Sequence, residues 1–193
     1  MKLPLVLASS SPYRKQLLER LQYPFSAISP HIDETPLADE KPQDLVLRLS
    51  IEKAQALAIS HPQHLIIGSD QVAVFDGKII TKPGSYEKAV EQLSAFSKRT
   101  VVFLTGLCLL NSRTGGKNTL IEPYTVHFRA LTSALISHYL QKEQPYDCAG
   151  SFKSEGLGII LLERFEGRDP TALVGLPLIA LTSLLMQFDV EIV

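Results

Sequence analysis

The chain has no tryptophan, only two cysteines and two methionines, and aromatic residues fill 7% of its 193 positions. Two thiols, Cys108 and Cys148, are too few for a disulfide framework or a four-thiolate zinc site. Their scarcity suits a reducing, cytoplasmic setting. Excess charge of one sign is missing as well: 19 basic against 20 acidic side chains leave a net charge of −1. Basicity therefore gives no reason to expect a nucleic-acid or membrane-surface partner. Long apolar runs are also lacking. The run at Met1–Ala8 breaks into serines and Pro12, without the length or small-residue cleavage site of a signal peptide. The stretch Leu173–Met186 is interrupted by Gly175 and Pro177 and is shorter than the ~20 residues a bilayer requires. These absences lead us to expect a soluble, cytoplasmic protein. The five histidines, His31, His61, His64, His127 and His138, lack metal-ligand spacing, and no Ser-His-Asp or Cys-His arrangement stands out.

What is present is a globular composition, 45% apolar and 20% charged. A chain of this length buries roughly 70–75% of its unfolded surface and needs no staples. Pro4–Ala8 reads as a short strand. Ser11 then caps a helix that begins at Pro12 and carries Leu17, Leu18 and Leu21, because serine before proline is a helix start. Ser29–Pro42, with three prolines among acidic residues, is a loop too long to be a plain connector. Pro42–Ser60 reads as a second helix. Leu65–Gly68 is a buried strand that continues through Ser69, Asp70 and Gln71 to Phe75, where Asp76-Gly77 marks a hairpin. A helix over Tyr86–Phe96, strands near Thr100–Leu110 and Thr119–Phe128, a helix near Ser133–Lys142, a strand at Gly158–Glu163 and a last helix from about Pro177 complete the pattern. Helices alternate with strands, yet hairpin signals are mixed in, which predicts an α/β fold with a mixed sheet.

Several residues could carry chemistry. The first turn of the helix after Ser9-Ser10-Ser11 has unpaired N–H groups and a partial positive charge, a ready site for a phosphate. Arg14 there is unfavourable for the helix dipole unless an anion compensates it. The same segment also reads as a plain capped helix with a surface arginine. Asp70, between two apolar runs, lies in or at the end of a buried strand, where a carboxylate needs a partner. Asp33-Glu34 supplies carboxylates of the kind that bind Mg²⁺ or Mn²⁺, or a solvated pair. Lys53 and Lys82 are phosphate partners or ordinary surface lysines.

Taken in order, Ser9-Ser10-Ser11-Pro12-Tyr13-Arg14, Asp33-Glu34, Lys53-Ala54, Ser69-Asp70, Lys82-Pro83, Phe152-Lys153-Ser154-Glu155-Gly156 and Val174-Gly175-Leu176-Pro177 resemble the Maf family of nucleoside triphosphate pyrophosphatases. The resemblance covers nearly the whole chain. It implies one domain over residues 1–193, an α/β fold of Maf and inosine-triphosphatase type. In that fold a mixed, curved central sheet is flanked by helices and forms a substrate cleft. It also implies a homodimer with a small-molecule nucleotide substrate. The activity it implies is a hydrolase reaction on a phosphoric anhydride, cleaving a nucleoside triphosphate to the monophosphate and pyrophosphate with a divalent cation, Mg²⁺, Mn²⁺ or Co²⁺. By the same resemblance, Asp70 is the proton acceptor, Lys53 and Lys82 are catalytic cations, Ser9 and Arg14 bind phosphate, and Glu34 and Asp70 hold the metal.

Three positions depart from the commonest Maf pattern: Tyr13 in place of Arg, Gln71 in place of Thr, Glu155 in place of Gln. The set resembles the subfamily acting on 7-methyl-GTP, and it assigns substrate specificity to Tyr13, Gln71 and Glu155. The physics agrees. Glu155 can accept from both N1–H and the exocyclic amine of guanine, and charge-assisted bonds are worth about 1.5–3 kcal/mol. N7 methylation makes the base cationic, and an aromatic face such as Tyr13 attracts a cation by roughly 0.5–2 kcal/mol. Two other expectations stand beside this one: the same chemistry on dTTP, UTP or another modified nucleotide, and a regulator of division and septum formation that binds without turnover.

Overall fold

The computed structural model describes residues 3–188, 190 and 192. The elements are β1 (Leu5–Ala8), α1 (Pro12–Glu19), β2 (Phe25–Ile28), α2 (Pro42–Ala56), β3 (Leu65–Phe75), β4 (Lys78–Ile80), α3 (Tyr86–Phe96), β5 (Thr100–Asn111), β6 (Lys117–Phe128), α4 (Ser133–Glu143), β7 (Leu162–Glu166), α5 (Pro170–Val174) and α6 (Leu178–Met186). Hydrogen bonding orders the strands β2-β1-β3-β5-β6-β7, with β4 beside β3. β1 runs parallel to β2 and β3, whereas β4 and β7 pair antiparallel to β3 and β6. The sheet is mixed, as the alternation of helix and hairpin signals predicts. Among the described residues no helix is long and apolar enough to cross a membrane.

The chain divides into two compact units. The first comprises Met1–Gln71, Leu104–Glu122 and Asp169–Val193; the second comprises Val72–Phe103 and Pro123–Arg168. In the first unit the period-2 alternation of strand side chains separates two cores. Leu5, Leu7, Leu65, Ile67, Leu107 and Leu109 pack with Leu17 and Leu18 of α1 and Leu181 and Leu185 of α6. Their neighbours Val6, Ala8, Ile66, Cys108 and Leu110 pack with Ala54 of α2 and Leu57 just after it. Helices thus cover both faces of these strands, which explains why β1 and the start of β3 are apolar at every position.

The second unit has an aromatic core, with Phe96 in contact with Phe75 and Phe128, and Phe152 in contact with Phe128 and Phe103. Its β3–β4 hairpin turns through Asp76 and Gly77, both at positive φ, the geometry of a type I′ turn.

Four local readings change. β2 and α5 are too short for a period to emerge, and the one local signal, Asp169 before Pro170 with Gly175 at the end of α5, went unread. α2 ends at Ala56, four residues before Ser60. The expected strand at Gly158–Glu163 begins only at Leu162, because Leu157–Leu161 forms a 3-10 turn. A short apolar run does not by itself separate strand from turn.

Candidate active site

The first unit builds its charged cluster around the middle of β3. Asp70 is 7% exposed. Its backbone N–H donates to Ser50 Oγ at 3.0 Å, and that hydroxyl donates to the Val46 carbonyl of α2. One helical turn beyond Ser50 stands Lys53, 4% exposed. Its Nζ lies 2.6 Å from Asp70 Oδ1 and 2.8 Å from Glu34 Oε1. The sequence offers Lys53 as a phosphate partner or an ordinary surface lysine; the fold buries it between two carboxylates.

Helix and strand come this close because two strand positions have no side chain. A Cβ at Gly68 would lie 2.0 Å from the Ser50 carbonyl, and one at Gly106 2.4 Å from the Val46 carbonyl. Glycine inside a strand marks such an approach of another backbone. Ser50, Gly68 and Gly106 are the residues that motif reading missed, and the two glycines were the available signal.

Glu34 is held from the other side. Its side chain is 58% exposed, but its proline-rich loop is anchored by Arg48 of α2. Arg48 donates to the Thr35 carbonyl at 3.2 Å and makes a two-pronged bond to Glu40 at 2.7 and 2.8 Å. Leu37 N–H donates to the same Glu40 carboxylate.

At the N-terminus of α1, Ser11 accepts from Arg14 N–H as the expected cap. Ser9, buried, accepts from Ser11 N–H through its Oγ at 3.1 Å. The hydroxyl proton of Ser9 remains a donor for an oxygen ligand. Tyr13 is half-buried on the first turn. Arg14 Nε donates to the Gly175 carbonyl at 2.7 Å, and Ser69 Oγ reaches that carbonyl at 2.9 Å. Arg14 therefore has a backbone partner, where the dipole argument looks only to a bound anion. Burial draws its guanidinium below the ordinary value, while the charges of Asp70 and then Glu34 act in the opposite direction. Arg14 and Lys53 thus lie in the field of the same two carboxylates.

Gln71 follows Asp70 on β3 and faces the other way. Its Nε2 donates toward the carbonyls of Ala172 and Leu173 at 2.6 and 3.1 Å and toward Thr105 Oγ1 at 3.0 Å. Carbonyls only accept, so the amide nitrogen must be the end that meets α5.

Lys82 and Glu155 belong to the second unit. Lys82 is exposed between Thr81 and the buried Pro83. Glu155 is exposed on the loop after Phe152 and accepts from Ser154 Oγ at 3.2 Å.

A divalent cation finds suitable donors in Glu34 and Asp70. Both carboxylates meet at one ammonium, and hard cations take carboxylate oxygens together with substrate phosphates and water. Among the described residues no three His, Cys, Asp or Glu side chains form a metal-binding group.

A mixed α/β sheet carrying a buried Lys–Asp pair at mid-strand, with a serine-capped helix beside it, defines the class. The family model for Maf-like proteins matches residues 4–188, and the chain belongs to that family. A protein of Nitrosococcus oceani called 7-methyl-GTP pyrophosphatase is 57% identical over 95% of this chain and 92% of its own length. Its namesake from Vibrio vulnificus is 56% identical over 97% and 96%. Among solved structures, a HAM1 protein from Coxiella burnetii shares the fold at TM-score 0.53 and 14% identity, covering 96% of this chain and 99% of that one. The Staphylococcus aureus Ham1 protein does so at TM-score 0.54 and 12% identity, covering 97% and 100%.

Proposed function

We propose that the chain is a nucleoside triphosphate pyrophosphatase that hydrolyses 7-methyl-GTP to 7-methyl-GMP and pyrophosphate, removing a modified nucleotide from the pool. The observation that carries the reading is Lys53, buried between Asp70 and Glu34 with Arg14 in the same field. A polyanion's hydrolysis needs such a cluster: cations for the phosphate oxygens and a carboxylate beside them for the water. The relatives' name, and Tyr13, Gln71 and Glu155 at the three divergent positions, support the choice of base.

In the reaction a water oxygen attacks the α-phosphorus. The bond from that phosphorus to the α,β-bridging oxygen breaks, and pyrophosphate leaves with the bridging oxygen. The water's proton passes to the Asp70 carboxylate, whose Oδ1 is held by Lys53. Arg14, Lys53 and Lys82 neutralise phosphate oxygens, and Ser9 donates to one. Tyr13 and Glu155 read the cationic base. Gln71 is the third specificity position, its amide nitrogen engaged with the Ala172 and Leu173 carbonyls of α5. Glu34 and Asp70 would hold Mg²⁺, Mn²⁺ or Co²⁺, which when bound supplies positive charge and lowers the pKa of coordinated water. The same reading places the protein in the cytoplasm as a homodimer.

The test is a panel of triphosphates at one concentration with pyrophosphate detection, with and without each metal. The expected result is metal-dependent release from 7-methyl-GTP well above that from dTTP, UTP and GTP. Preference for dTTP or UTP would overturn the base assignment, and binding with no cleavage of any triphosphate would overturn the activity. Asp70→Asn should lose nearly all turnover; an unimpaired variant rejects the mechanism. Glu155→Gln should cost about tenfold to a hundredfold in kcat/KM for 7-methyl-GTP.

A further inference from the structure

Within the second unit one amide joins the two loops that carry Lys82 and Glu155. Gln92 lies on α3, half-buried. Its Nε2 donates to the Thr81 carbonyl at 3.0 Å, one residue before Lys82. Its Oε1 accepts from Ser151 Oγ at 2.5 Å, immediately before the Phe152–Gly156 loop. A primary amide is the side chain that donates at one end and accepts at the other. A methionine of similar length does neither, and a carboxylate only accepts.

Both loops bear the marks of constraint at these points. Ser151 is fully buried and has φ +59, following Gly150 at φ +73. A side chain other than glycine persists in the left-handed region where its surroundings hold it there. The Ser151 hydroxyl is bonded to Gln92, and its N–H donates to the Cys148 carbonyl at 3.2 Å. Further along the same loop, Lys153 N–H donates to the buried Tyr139 hydroxyl and Leu157 N–H to Glu143, both on α4. The Lys82 loop is tied by Gln92 at its start, and Gly84 N–H donates to the Tyr146 carbonyl at 3.1 Å. Helix α3 thus holds both loops through one side chain, beside the ties that each makes to α4 or to Tyr146.

We propose that Gln92 is a positioning residue that sets the phosphate lysine, Lys82, and the base-reading carboxylate, Glu155, in fixed relation to each other. The inference rests on the roles given above to those two residues. It makes base selectivity and triphosphate binding depend together on a group that touches neither part of the nucleotide.

The test compares wild type, Gln92→Met and Ser151→Ala. The readouts are the ratio of kcat/KM for 7-methyl-GTP over UTP, inhibition by inorganic tripolyphosphate, and the melting temperature. Loss of one neutral hydrogen bond corresponds to roughly twofold to tenfold. Gln92→Met keeps length and helix preference. It should lower the 7-methyl-GTP/UTP ratio and weaken tripolyphosphate inhibition, each by roughly threefold to tenfold. Ser151→Ala should lower the ratio and leave tripolyphosphate inhibition within about twofold. A purely structural role would lower the melting temperature and scale both nucleotides alike. A ratio and an inhibition constant within about twofold of wild type in Gln92→Met overturn the proposal. Should Gln92→Met fail to fold, an unchanged ratio in Ser151→Ala does the same. Glu155→Gln and Lys82→Met separate the two levels. If Glu155→Gln leaves the ratio unmoved, or Lys82→Met leaves tripolyphosphate inhibition unmoved, the assignment of that residue fails. If both move their readouts while Gln92→Met moves neither, only the positioning role fails.

Discussion

Removing an ammonium from water costs several kcal/mol unless opposite charge takes the water's place. At Lys53 two carboxylates do this, one buried and one on the exposed loop. The pair with Asp70 should therefore act as a unit in stability as well as in turnover. We expect Lys53→Met to lower kcat/KM at least about a hundredfold. We also expect it to destabilise wild type more than it destabilises Asp70→Asn, with a coupling of about 1–3 kcal/mol. Denaturant unfolding of the four proteins in the cycle measures the coupling; additive losses would show that the two side chains do not depend on each other. The residue types of this cluster were legible in the sequence, since Lys53, Asp70 and Glu34 all fall in recognisable motifs. The burial of Asp70 was legible too, from the apolar runs on either side of it; that of Lys53 was not, because lysine is ordinarily a surface residue and its two partners come from separate segments.

At the scale of elements, the distance between α2 and the strands decides whether that cluster exists. Gly68 and Gly106 let the backbone of α2 rest against β3 and β5, and Ser50 then bonds to the Asp70 N–H. In Gly106→Ala the new methyl group meets the Val46 carbonyl, which is backbone, and Ser50 Oγ, which is itself bonded to that carbonyl. Overpacking of this kind costs about 1–3 kcal/mol. We expect that loss in chemical denaturation, together with a fall in turnover as α2 and Lys53 shift outward; turnover unchanged alongside reduced stability would separate the helix's packing from the site. The buried Asp169 does comparable work for α5 and α6. Its Oδ1 accepts from Thr171 N–H and Oδ2 from Ile179 N–H, so one carboxylate caps two helix starts. Long elements such as α3, β5 and β6 were readable from their period. β2 and α5 were not, since elements of four and five residues show no period, and α5 offers only its Asp169-Pro170 start.

For the molecule as a whole, titration sets the range of stability. Hydrogen bonds from Arg48 hold Glu40 down to about 2 from 4.5. Asp33 is lowered by Thr35, Glu87 by its own and Ser85's hydrogen bonds, and Glu166 by Arg164. A depressed carboxyl contributes stability above its unfolded value, and that contribution is lost as pH falls through the folded one. At the other end, burial pushes the Cys108 thiol up to about 11 and the Cys148 thiol up to about 12, and it raises the Tyr139 phenol. Groups raised above unfolded values of 9.0 and 10.0 stabilise the fold below those values and cease to do so as pH rises. The melting temperature should hold steady between about pH 5 and 9 and fall on both sides. Arg48→Met should remove part of the acid limb, and an acid limb identical to wild type would show that Glu40 does not supply it.

The sequence by itself determined the mixed α/β class, the long helices and strands, the serine-capped start of α1 and the residue types available for chemistry. These follow from side-chain period and local hydrogen bonding, which act over a few residues. Tertiary structure alone decided that Lys53 is buried, that Arg14 meets the Gly175 carbonyl, that Gln71 turns its amide to α5 and that Gln92 links two loops. Each of these depends on groups brought together from separate segments, where burial strips away water and leaves each polar atom to find a partner in the protein.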